Sequence, residues 1–85
     1  MDNDLDELLV ALEKALVRGE PEEVGLLVRK LVFAAQIAAS YLDVWTAGRR
    51  EKATHLLRQA RVALRGTPYE QKAATALGSL PEVAA

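Results

Sequence analysis

His55 is the single histidine of this chain and cysteine is absent, so the usual His/Cys sets for zinc cannot be assembled within one copy. A histidine can also act as a general base, but on a helix His55 has Glu51 one turn before it and Arg58 nearly one turn after, the setting of a solvated surface residue. Asp2, Asp4, Asp6 and Glu7 offer oxygen donors for a hard cation. They lack the spacing of a calcium loop, and helix capping plus a solvated acidic end accounts for them. No nucleophile stands beside a base, and the glycines are scattered as helix punctuation instead of forming a phosphate cradle. No enzymatic activity, metal or cofactor is therefore expected. The remaining polar candidate is a row of arginines, Arg50, Arg58, Arg61 and Arg65. Their spacing suits contacts to an anion or to successive phosphates of a nucleic acid, but no aromatic residue interleaves them.

Any such groups must be positioned by helices. The densest apolar run, from Val24 to Trp45, holds three of the four aromatics. Wound at about 100° per residue, it leaves only a narrow polar stripe of Gly25, Arg29, Gln36, Ser40 and Asp43. Leu27, Leu31, Ala38 and Leu42 fall on one broad face, expected to share a core with Leu12, Leu57 and Ala60. A second arc carries Leu26, Phe33, Ile37 and Val44. A helix apolar almost all round must be covered by other helices. It is not a membrane span, because the uncharged run between Lys30 and Asp43 is too short.

The preceding segment has capping-box spacing at Asp4 and Glu7, followed by Leu5, Leu8, Leu9, Leu12, Ala15 and Leu16 at helical intervals. Gly19 suits a left-handed terminator and Pro21 the first turn of the next helix, so the first two helices form a hairpin. Beyond Gly48, residues Ala53, Leu56, Leu57, Ala60 and Leu64 define a third amphipathic helix. Gly66 ends it, and Thr67-Pro68-Tyr69-Glu70 reads as the start of a fourth, stopped by Gly78. The expected architecture is an all-α bundle of three main helices (about 4–18, 21–47 and 49–65) plus a short fourth (about 68–77). Residues 1–78 make one domain and 79–85 a frayed tail. Gly48-x₄-Ala53-x₃-Leu57-x₂-Ala60 resembles the second helix of a tetratricopeptide unit, and Gly19-x₄-Val24-x₃-Val28-x₂-Leu31 echoes it 29 residues earlier. That offset is shorter than the family's period and its first-helix Leu-Gly signature is missing, so no binding mode is carried over.

The net charge of −1 hides an asymmetry. Residues 1–47 hold nine acids and four bases, while 48–85 hold three acids and seven bases, so the halves attract, within one chain or between copies. The acidic start has no basic region typical of a secretory signal, and a cytoplasmic location is expected. With 85 residues the chain alone buries only roughly 60–65% of its unfolded surface, so its stability is modest. These features point to a non-enzymatic protein–protein interaction module that self-associates, most simply as a homodimer, through Leu26, Phe33, Ile37 and Val44; another protein is a further possible partner. The alternative is a small nucleic-acid-binding or regulatory protein using the arginine row.

Overall fold

A computed structural model describes residues 4–36 and 45–80. Over these the chain is all-α, with four helices: α1 (Asp4–Arg18), α2 (Pro21–Gln36), α3 (Ala47–Ala63) and α4 (Glu70–Ser79). The helices lie around a square in the order α1, α2, α4, α3, with α2 also touching α3 across it. Among the described residues no helix is long and apolar enough to cross a membrane.

The first hairpin forms for the reasons its residues suggest. Leu5, Leu9 and Leu12 recur at helical spacing and are buried. Gly19 adopts φ +74°, and its N–H donates to the Ala15 carbonyl at 2.9 Å, closing the C-terminal turn in the left-handed form that glycine takes without strain. Pro21 then opens α2. Across the turn Arg18 Nε donates to Glu23 Oε1 at 2.8 Å, an exposed pair of small energetic weight. The capping role expected of Asp4 falls on a side chain outside the described set.

The second helix departs from the expected 21–47 span. Trp45 and Thr46 are not helical, and Ala47 is the first residue of α3. Residues 37–44 lie outside the described residues. Two side chains explain the break. Thr46 is an N-cap, its Oγ1 accepting from the Arg49 N–H at 3.2 Å, which satisfies an otherwise orphaned amide of the first turn. Trp45 turns inward until it is 3% exposed, and its Nε1–H donates to the Ala34 carbonyl at 3.4 Å, the partner a buried indole needs. Gly48, expected as a terminator, therefore lies within the first turn of α3.

At the other end of α3, Gly66 takes φ +82° as expected of a stop residue. The fourth helix begins two residues later than 68, because Thr67 serves the preceding turn instead of capping the next helix. Its hydroxyl donates to the Leu64 carbonyl at 2.6 Å and accepts from the Tyr69 N–H at 3.2 Å. Tyr69 is the N-cap, without a side-chain cap bond. Gly78 does not stop α4, which continues to Ser79, and Leu80 is buried in the core. The folded part thus passes the boundary expected at 78, and 81–85 lie outside the described residues.

One apolar core joins all four helices. Leu12, Leu31, Leu57 and Ala60 are fully buried in it and Leu27 packs half-buried at its edge; Ala38 and Leu42, assigned to the same core, fall outside the described residues. The close approaches are made by alanines. Ala15, Ala53, Ala60, Ala73 and Ala76 are all fully buried, as small residues must be where helix backbones come near each other. Tyr69 uses the same device. Its ring lies flat on Gly25, where an added Cβ would stand within 2.7 Å of Cγ, Cδ1 and Cδ2. Gly25 is therefore not part of a solvated stripe but the seat on which the start of α4 docks.

The charge asymmetry of the sequence is partly spent inside the chain. Arg49 Nε and Nη2 donate to Asp6 Oδ1 and Oδ2, each at 2.9 Å, tying the start of α3 to the first turns of α1. The hydrogen bonds from Arg49 hold the Asp6 carboxyl below its ordinary value of 3.8, against some opposing desolvation. A depressed carboxyl contributes stability that is present above its ordinary value and lost as the pH falls through the lowered one. Asp6→Asn should therefore lose less stability than the parent on acidification from pH 7 to 2. Urea midpoints across that range check it, and parallel curves for the two proteins would refute the pairing.

Candidate interaction surfaces

Burial of Val24, Gly25, Val28, Leu31 and Ala35 fixes which way α2 faces. Leu26 and Phe33, seven residues and about two turns apart, point away from that side and remain 52% and 64% exposed. Of the four residues expected to form an interaction face, the structure thus places these two together on the surface; Ile37 and Val44 lie outside the described residues. The depressions flanking Phe33 are lined by Arg29 and Lys30 of α2 and by Lys72 of α4, together with the uncharged Val32, Gln71 and Thr75. Every charged side chain lining them is a cation. α4 packs on the Gly25 side of α2 and borders the Phe33 side through Gln71, Lys72 and Thr75, leaving Leu26 and Phe33 exposed.

The arginine row is less unified. Arg50 and Arg58 border one depression on α3 with Thr54 and His55, but Glu51 stands in the same lining, and neither Arg61 nor Arg65 reaches it. Arg58 and Arg61 are exposed on α3, while Arg65 lies in the turn beyond it. Arg50 is half-buried and engaged within the chain, and its carbonyl accepts from Thr54 Oγ1 at 2.9 Å. His55 is exposed and its Nε2 lies 3.2 Å from Gln59 Nε2. Among the described residues no three His, Asp or Glu side chains gather closely enough to hold a metal ion.

One surface was not anticipated from the sequence. On the outer side of α1, Val10 is 39% and Val17 85% exposed, again seven residues apart. Beside them lies a depression lined by Asp6, Glu7, Ala11, Lys14 and Arg18. The signal lay in the same wheel that placed Leu5, Leu9 and Leu12 inside, since Val10 and Val17 fall about a third of a turn round from their centre.

These surfaces belong to a small all-α bundle of four described helices. Comparison of the chain with protein-family models, with curated proteins and with solved structures finds no match.

Proposed function

We propose that this chain is a non-enzymatic protein–protein interaction module, acting in the cytoplasm, that self-associates through the outer face of α2. The supporting observation is the exposure of Leu26 and Phe33 together on the face of α2 opposite its buried one. Large apolar side chains exposed singly need no explanation, but two on one helical face with a polar rim have the composition of a docking site. A chain of 85 residues buries a smaller fraction of its surface than a larger domain does, so covering such a face adds stability that the monomer lacks.

Light scattering after size exclusion at micromolar concentration tests the reading. The parent should elute with more than the mass of one chain, and Phe33→Glu, a change at an exposed position, should yield a helical monomer. A parent that stays at one chain's mass and is unaffected by the change refutes it.

A further inference from the structure

The proposed self-association can be specified further from the charges around each apolar pair. On α2 the midpoint between Leu26 and Phe33 falls between Arg29 and Lys30. A two-fold pairing of this face with itself, Leu26 of one copy over Phe33 of the other, has its axis at that midpoint. Each of these cations would then meet its own copy, and like charges brought together in a contact oppose it.

The outer face of α1 offers a better counterpart. Val10 and Val17 repeat the seven-residue spacing, and their midpoint carries Glu13 and Lys14, so that one of the two α2 cations meets an acid and only one meets a cation, where the two-fold form sets both against cations. Both helices also run from acid to base. α1 begins with Asp6 and Glu7 and ends with Lys14 and Arg18; α2 begins with Glu22 and Glu23 and reaches Arg29, Lys30 and the adjoining Lys72 in its second half. An antiparallel arrangement therefore sets the acidic first turns of α1 toward the basic second half of α2, and Arg18 toward the first turn of α2 with its Glu22 and Glu23. A parallel one sets the basic ends against each other.

We propose that copies of this chain join head to tail, the Leu26–Phe33 face of α2 in one copy resting antiparallel on the Val10–Val17 face of α1 in the next. This rests on the self-association reading and replaces its two-fold form with a heterologous one. Such a contact leaves one unused face at each end, so assembly continues into rings or filaments.

The test uses two surface variants, Phe33→Glu and Val17→Glu, each checked for unchanged helicity by circular dichroism. Sedimentation of the parent should show mass growing beyond two chains with concentration. Each variant alone should associate at least roughly 30-fold more weakly, the scale of losing an interface hot spot. Mixed in equal amounts they should recombine and stop at two chains, because Val17→Glu keeps an intact α2 face and Phe33→Glu an intact α1 face. If Val17→Glu assembles like the parent while Phe33→Glu does not, α2 pairs with its own copy; self-association then stands and the head-to-tail contact falls. Failure of two monomeric variants to recombine also overturns it. A parent that remains one chain at high micromolar concentration overturns both readings.

Discussion

Leu31→Ala lowers the unfolding free energy by about 2–5 kcal/mol, the range for truncating a fully buried leucine whose surroundings cannot close over the space it leaves. Leu31 is 0% exposed in the middle of α2, within the cluster that joins all four helices. A domain of 85 residues has a net stability of roughly 4–13 kcal/mol, so this one change removes a large share of it. Leu26→Ala is the internal control: same residue type, same helix, 52% exposed. Its effect on the monomer should stay within about 0.5 kcal/mol, with the loss appearing in association instead. Urea denaturation at a concentration where the chain is monomeric separates the two. Equal midpoint shifts for Leu31→Ala and Leu26→Ala would show that the orientation assigned to α2 is wrong.

The orientation of α2 also shows how far the sequence could be read. Leu26 and Phe33 stood out because they lie on an apolar arc that the first and third helices could not cover, and the structure leaves them exposed. Val10 and Val17 did not, because the leucine stripe of α1 satisfies the helical pattern without them. The break before α3 was hidden for a related reason. Apolar periodicity continues through Val44 and Trp45, and a single N-cap threonine is a weak signal against the obvious terminator Gly48. At Thr67 the local signal was strong but ambiguous, since the same hydroxyl that suits an N-cap can close the turn behind it. The ion pair of Asp6 and Arg49 was legible only as an excess of acid in one half and base in the other. Which members meet depends on how α1 and α3 cross, and a difference in net charge between the halves does not specify that.

Gly25 is the residue whose role the sequence concealed most completely, and it supports the second large effect. Read alone, a glycine in the second turn of a helix is a weakness, and alanine there should add about 1 kcal/mol of stability. In the folded chain the opposite sign is expected. A Cβ at this position would meet Cδ1 and Cδ2 of Tyr69 at 2.6 and 2.7 Å, closer than such carbons can stand. The obstacle is the root of an aromatic ring held at the N-cap of α4, not the tip of a flexible chain, so relief requires the start of α4 to lift from α2. Overpacking of this kind costs about 1–3 kcal/mol, which exceeds the propensity gain and leaves Gly25→Ala less stable by up to about 2 kcal/mol. The sign can be tied to Tyr69 by a double-mutant cycle. In a Tyr69→Ala background the ring is gone, only the propensity term remains, and Gly25→Ala should become stabilising. Thermal or urea unfolding of the four proteins reads this directly: a reversal of sign between backgrounds identifies the glycine as the seat of α4, whereas the same sign in both would mean that Tyr69 does not rest on it.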